Sequence, residues 1–153
     1  MGEFTVREAA PTDAEAVAGL LGELGYPNTA DFARSKLAAL AESDSDRVLV
    51  AERVGGVVGV AHLHMTELFH QPGRAGRIMA VVVNADSRRL GVGRELMNRL
   101  EALAREYGCT KLELTSAAHR EAAHAFYLSL GYDEGLRHFV KYLNPPGEAG
   151  ESR

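Results

Sequence analysis

The apolar positions of this 153-residue chain follow two periods, and the points where one gives way to the other mark its elements. Phe4-Thr5-Val6-Arg7 alternates as a short strand. Pro11-Thr12-Asp13 then opens a helix, with Thr12 as the expected cap and Glu15 three positions on as its capping-box partner. Val17, Leu20, Leu21 and Leu24 form one apolar face before Gly25 ends that helix. After the loop "GYPNTADF", a second helix is expected from about Thr29 to Ala41, with Phe32, Leu37 and Leu40 inward. Arg47 to Glu52 and Val57 to Met65 read as a hairpin turning at Gly55-Gly56, and "TELFHQPGRAG" reads as a loop. Ile78 to Val83 is an apolar, β-branched run suited to a strand covered on both faces. A helix starting near Leu90 follows, with Val92, Leu96, Leu100, Leu103 and Tyr107 in one stripe before Gly108. Lys111 to Thr115 alternates as a strand, a helix from about Arg120 to Leu130 closes at Gly131, and Leu136 to Leu143 can form a last strand.

The element order is β-α-α-β-β-β-α-β-α-β, a mixed α/β fold in which the Ile78 strand, its helix and the Lys111 strand make a parallel crossover. Residues 1–143 are expected to form a single domain, and residues 144–153, "NPPGEAGESR", a disordered polar tail.

Composition narrows the chemistry. A net charge of -4 argues against a nucleic-acid binder, which carries a basic stripe. One cysteine, Cys109, rules out an internal disulfide framework, and no Cys/His spacing resembles a zinc site. Cys109 is expected to pack as a small hydrophobe. The segment "MGEFTVREAAPTD" lacks the apolar core of a signal peptide, and no run approaches the ~18 apolar residues of a membrane span. A soluble cytoplasmic protein, without nucleic-acid or membrane partners, is the expectation.

The chemistry-bearing stretch is "NADSRRLGVGREL", placed where Val81, Val82 and Val83 hand over to a helix. A helix N-terminus leaves backbone N–H groups unpartnered and adds partial positive charge. Gly91 and Gly93 let a ligand approach that backbone closely, and Arg88, Arg89 and Arg94 add formal charge. The combination suits a phosphate or pyrophosphate; the plain alternative is a tight packing turn with solvated arginines. The nucleotide P-loop pattern G-x-x-x-x-G-K-S/T does not occur. The dinucleotide pattern G-x-G-x-x-G fits at Gly91 and Gly93, but Leu96 stands at its third glycine and Glu113 lies inside a strand.

A second motif stands in "HREAAHAFYLSLGYDE", where Ala123, Phe126, Tyr127 and Leu130 share one helix face. On periodicity alone Tyr127 is an ordinary core aromatic. The stretch resembles the carboxyl-terminal motif of the GNAT superfamily of acyl-CoA-dependent N-acetyltransferases, an N/R-x-x-A-x-x-F-Y-x-x-x-G-F/Y pattern met by Arg120, Ala123, Phe126, Tyr127, Gly131 and Tyr132. That family's other signature, Q/R-x-x-G-x-G/A after a valine-rich strand, is matched by Arg88, Gly91 and Gly93. The two motifs occur in the family's order, and the resemblance runs from about Phe4 to Leu143.

The resemblance implies a splayed central sheet and acetyl-CoA as acyl donor. It implies that the backbone from Arg88 through Leu90, Gly91, Val92, Gly93 and Arg94 holds the pyrophosphate, and that the edge at Val81, Val82 and Val83 pairs with the pantetheine amides. Ser116, Arg120, Ala123, Phe126 and Tyr127 complete the implied cofactor site. The implied reaction is direct attack of a small-molecule primary amine on the thioester, with a Val81 N–H facing the oxyanion and Tyr127 serving the departing thiolate. A phenol of pKa ~10 protonating a thiolate of ~8.5 is uphill by ~2 kcal/mol, so Tyr127 stabilises the sulfur as much as it protonates it.

Many relatives carry an acidic base just after the isoleucine of the central strand; here Met79 and Ala80 follow Ile78. The base is therefore sought at His64 or His62, at Glu67, or in a water chain, with surface-facing strand positions as the plain alternative for the histidines. His119 and His124 flank the second motif, and Tyr26, Glu67 and His70 are candidates for acceptor contacts. A homodimer is expected by analogy with relatives. The competing reading is a non-catalytic module that binds acyl-CoA as a sensor.

Overall fold

A computed structural model describes residues 3–115, 121–135 and 139–144. The chain divides into two compact units, residues 1–114 and 115–153.

The first unit is one five-stranded sheet in sequential order, β1 (Phe4–Glu8), β2 (Asp46–Arg53), β3 (Gly56–Glu67), β4 (Arg74–Val83) and β5 (Cys109–Glu113). The first three neighbouring pairs are antiparallel, and β4 with β5 is parallel, as the crossover through α3 (Val92–Glu106) requires. α1 (Ala14–Leu24) and α2 (Ala30–Ala41) lie between β1 and β2 in sequence. The mixed α/β fold is the one expected.

Val50, Val60 and Val82 form a row across β2, β3 and β4, and on it pack Ala14, Val17 and Leu20 of α1 with Ala33 and Leu37 of α2. Side chains alternate between faces, so Gly59 belongs to the opposite face. A Cβ at Gly59 would stand 3.2 Å from both Val92 and Leu96, and its absence lets α3 close onto the sheet. Helices thus cover both faces of β4.

Several boundaries differ from the sequence reading. Thr66–Glu67 and Arg74–Ala75 pair as an antiparallel extension, so β4 starts at Arg74 and the expected loop shrinks to residues 68–73. β5 starts at Cys109, because Arg74 supplies a partner there, and ends at Glu113 instead of Thr115. The hairpin turn sits at Val54-Gly55. Thr12 is not the cap of α1: a 3-10 turn, Pro11–Asp13, precedes the helix, and the Asp13 carboxylate accepts from the Ala10 N–H at 2.8 Å. Phe32 is exposed and Ala33 takes the inward position on α2. On α3, Met97 and Ala104 are buried and Leu103 and the C-cap Tyr107 only half-buried, so the buried face is centred to one side of the expected stripe. α3 starts at Val92, not Leu90, since Gly91 is in the left-handed region at φ 87°.

Arg7 clamps the entry to α1. Its guanidinium donates to both Asp13 oxygens, at 2.9 and 3.0 Å, and to Glu52 at 3.0 Å. The Arg7 hydrogen bond outweighs burial and holds the Asp13 carboxyl below the usual range.

The second unit contains α4 (Glu121–Ser129). Its end is a Schellman motif: Gly131, at φ 94°, donates to Leu128 C=O at 3.1 Å, and Tyr132 N–H donates to Tyr127 C=O at 3.1 Å. Of the expected last strand, residues 136–138 lie outside the described residues, and Phe139–Leu143 is not strand. The expected tail lies outside them from residue 145.

Candidate active site

β4 and β5 pair only from Arg74↔Cys109 to Arg77↔Glu113. Beyond that point, among the described residues, β4 has no partner on its β5 side. Among the described residues the sheet therefore opens along Ile78 to Val83, where the family resemblance implied a splayed sheet.

The direction of the free groups follows from the ladder. Asn84 N–H donates to Val58 C=O on β3 at 2.8 Å. In an antiparallel pair alternate residues face the partner, so Val82 and Ala80 turn their N–H and C=O to β3, while Val81 and Val83 turn theirs to the parting. Met79 is the extra residue of a β-bulge, since His62 pairs with Ala80 but Leu63 pairs with Ile78. The bulge re-aims β4 at the point of separation and leaves Met79 exposed.

The edge runs into the residue 84–91 loop. The Asn84 side chain accepts from Asp86 N–H at 2.8 Å and starts a 3-10 turn, Ala85–Ser87, whose buried Ser87 accepts from Arg53 at 3.1 Å. Arg88 does more than add charge: its Nε donates to Val83 C=O at 3.1 Å, and its guanidinium reaches to 3.9 Å from Glu23 on α1. Arg89 is a non-glycine residue at φ 70°, a strained conformation that aims the chain toward the helix. Leu90 and Arg94 are exposed. Gly91, at the N-cap, provides no side-chain cap, and a Cβ there would have nothing within 4 Å. The first N–H groups of α3, at Val92, Gly93 and Arg94, are thus left for a ligand. The donor set, backbone N–H with open space in front, fits a pyrophosphate, and the adjoining Val81 and Val83 amides fit an extended amide-bearing arm.

On the face of the sheet that carries α1 and α2, one strand in from the parting, stand His62 and His64. Their shared partner is Asp46: His62 Nε2 lies 2.8 Å and His64 Nδ1 3.0 Å from the same oxygen, Oδ1. Ser43 Oγ donates to the other oxygen at 2.7 Å. Burial pushes the Asp46 carboxyl up, but the bonds from Ser43, His62 and His64 outweigh it and hold it below the usual range. Arg77 pairs with His64 in the register and lies on the same face. Asp46 and Arg77 were missed by the sequence reading. Glu67 closes β3 and Tyr26 and His70 stand in exposed loops, so these candidates do not gather with the histidines in the ladder.

On α4, Ala123, Phe126, Tyr127 and Leu130 are half-buried along one face. The Phe126 and Tyr127 ring centroids are 5.3 Å apart, and Tyr127 meets Tyr132 edge-on at 6.2 Å. Ser116, His119 and Arg120 lie outside the described residues. Burial raises the Cys109 thiol above its ordinary value, with Arg74 opposing, which disfavours the thiolate that a covalent route needs. A cavity of about 400 Å³, lined by Glu8, Leu37, Asp44, Asp46 and Tyr107, opens at the start of β2, the opposite end of the sheet from the 84–91 loop. No described helix is long and apolar enough to cross a membrane, and among the described residues no His/Cys/Asp/Glu group forms a metal site.

The acetyltransferase (GNAT) family model matches residues 18–132. An aminoalkylphosphonate N-acetyltransferase from Salmonella typhimurium is 33% identical over 140 residues, 90% of each chain. An aminoglycoside N(6')-acetyltransferase type 1 from Stenotrophomonas maltophilia is 29% identical over 148 residues, 94% of each chain. The solved structure of an aminoglycoside N-acetyltransferase in complex with CoA shares the fold at a TM-score of 0.81 and 16% identity, over 91% of this chain and 93% of that one.

Proposed function

The chain belongs to the acetyltransferase (GNAT) family and is an N-acetyltransferase, and from that premise we propose that it takes acetyl-CoA as donor and a small primary amine as acceptor, which attacks directly in a ternary complex. The observation that carries the reading is the β4 edge at Val81 and Val83, open among the described residues and running into the N-terminus of α3, which no side chain caps.

Bound acetyl-CoA supplies an activated acetyl thioester. Val83 N–H and Val81 C=O would pair with its pantetheine amides, and the N–H groups of Val92, Gly93 and Arg94, helped by Arg89, would hold its pyrophosphate. Arg88 serves by fixing the end of the edge. By the family pattern, Ser116, Arg120, Ala123 and Phe126 complete the contacts. With the donor bound, Val81 N–H would face the thioester oxygen, Tyr127 would serve the sulfur as proton donor, and His64 would take a proton from the incoming ammonium.

Among small amines an aminoalkylphosphonate is favoured. Arg77 stands across from His64, so a guanidinium and a base occupy neighbouring positions on one face. An acceptor with its anion one or two carbons from the amine spans such a pair. The named activity of the Salmonella relative supports the same class.

Two measurements test this. Thermal unfolding against acetyl-CoA, CoA and NAD(H) is expected to shift with the CoA species alone; no shift at millimolar acetyl-CoA overturns the reading. Thiol release is then compared for 2-aminoethylphosphonate and kanamycin. Turnover of the phosphonate is expected to be the faster, and Arg77→Gln to raise its KM; kanamycin turning over faster overturns the acceptor class.

A further inference from the structure

The cluster of Asp46, His62 and His64 carries more than a candidate base. The Asp46 carboxylate holds three hydrogen bonds, one on Oδ2 and two on Oδ1. A carboxylate only accepts, so each imidazole nitrogen facing it must bear the hydrogen. A bare ring nitrogen at 2.8 or 3.0 Å would set lone pair against lone pair. The two rings meet Oδ1 through different nitrogens, so their tautomers are opposite: His62 carries its hydrogen on Nε2, and His64 on Nδ1. The basic nitrogens left over are His62 Nδ1 and His64 Nε2. His64 is the more open of the two, at 43% side-chain exposure against 22%.

Building on the acetyltransferase reading, we propose that Asp46 is a positioning residue which fixes these opposite tautomers, so that His64 Nε2 is the atom that deprotonates the acceptor amine. The ammonium passes one proton to His64 Nε2, leaving a neutral amine and an imidazolium whose Nδ1–H stays on Asp46. The carboxylate, held ionised by Ser43, compensates that new charge. The imidazolium then returns its proton to solvent. The thiol leaves with the Tyr127 proton and the amine's second proton restores the phenol, so each turnover forms one C–N bond, breaks one C–S bond and releases one proton.

The placement suits the task. His64 pairs with Arg77, the last β4 residue joined to β5, and His62 pairs with Ala80, just past the Met79 bulge. β3, which carries both residues, therefore lies one strand spacing, ~4.8 Å, from β4, the strand along which the sheet opens.

The test is the imidazole nitrogen spectrum of the full-length ¹⁵N-labelled protein at neutral pH, with His62→Gln and His64→Gln used for assignment. The expected pattern is Nε2–H for His62 and Nδ1–H for His64. An Nε2–H form of His64 in the wild type overturns the proposal, whatever the activity. In steady-state assays with 2-aminoethylphosphonate and kanamycin, Asp46→Asn is expected to lower kcat by roughly 10- to 100-fold while leaving KM for acetyl-CoA unchanged. His64→Gln is expected to lose at least as much, and His62→Gln less. Full kcat in a folded Asp46→Asn or His64→Gln protein overturns it. Loss of acetyl-CoA binding in the wild type would instead strike the acetyltransferase reading, and the spectrum would still decide the tautomers.

Discussion

Gly91 separates strain from recognition. Its φ of 87° penalises any side chain, yet a Cβ there would have nothing within 4 Å. Replacement by Ala or by Glu should therefore cost the protein a similar amount, about 1–2 kcal/mol of left-handed backbone strain. For a domain of this size that is a fall in Tm of about 2–8 °C. The ligand sees the two variants differently. At 100 times its Kd a ligand stabilises the wild type by about 2.7 kcal/mol, or about 5–11 °C at the same conversion. Gly91→Ala adds one methyl to the approach and should keep part of that shift. Gly91→Glu sets a carboxylate against the pyrophosphate and should abolish it. The assay is a thermal scan of the three proteins with and without saturating acetyl-CoA. An undiminished shift in Gly91→Glu refutes the placement of the pyrophosphate at this helix end. A much larger loss of stability in Glu than in Ala refutes the open space assigned to the site.

Three further outcomes follow from packing, charge and chemistry. Asp13→Asn removes the charge from the Arg7 clamp and should cost about 1–3 kcal/mol in urea unfolding at pH 7, less than a fully buried pair because Arg7 keeps Glu52. Because the folded Asp13 carboxyl is held below its ordinary value, its contribution is complete above the unfolded pKa of ~3.9 and is lost as pH falls through the folded value, so wild type and variant should converge in acid. Gly76→Ala places a Cβ 2.6 Å from Leu112 and 3.2 Å from the fully buried Leu63, and should destabilise by about 1–2 kcal/mol; a Leu112→Ala background should relieve part of the loss, and strict additivity in the double-mutant cycle would contradict the contact. Tyr127→Phe should lower kcat by about 10²–10⁴-fold with little change in KM for acetyl-CoA, and an unchanged kcat would remove Tyr127 from the chemistry.

Much of the fold was legible because strong local signals set it. The alternation of Phe4 to Arg7, the stripe on α3 and the glycines at 25 and 131 act within a few residues, and each appears near its expected place. The first motif was legible for the same reason: a helix N-terminus and its glycines are neighbours in sequence. The Asp46 cluster was not, and register explains why. Counting back from the hairpin turn, where Arg53 pairs with Gly56, would set Asp46 against Leu63, on the opposite face from both histidines. The irregularity at Ala51/Glu52 shifts the ladder by one residue and brings Asp46 opposite His64. No turn signal announces that shift. A His-x-His pair on one strand face, with an aspartate heading the adjacent strand, was the one available hint. The bulge at Met79 was hidden likewise, because it shows only in the pairing of β4 with β3 and not in the β4 sequence itself.

The parted sheet has a consequence for solubility. An edge strand with bare amides invites any passing chain to dock on it, and proteins guard against that with short edges and charge. Here the exposed length is limited at both ends: the bulge at Met79 interrupts it on one side, and Arg88 occupies the Val83 carbonyl on the other. What remains is too short to template a foreign β-strand, yet long enough for the two amides of one small arm. On the function proposed above, the opening works as a length filter, which admits a donor arm without offering a seed for aggregation.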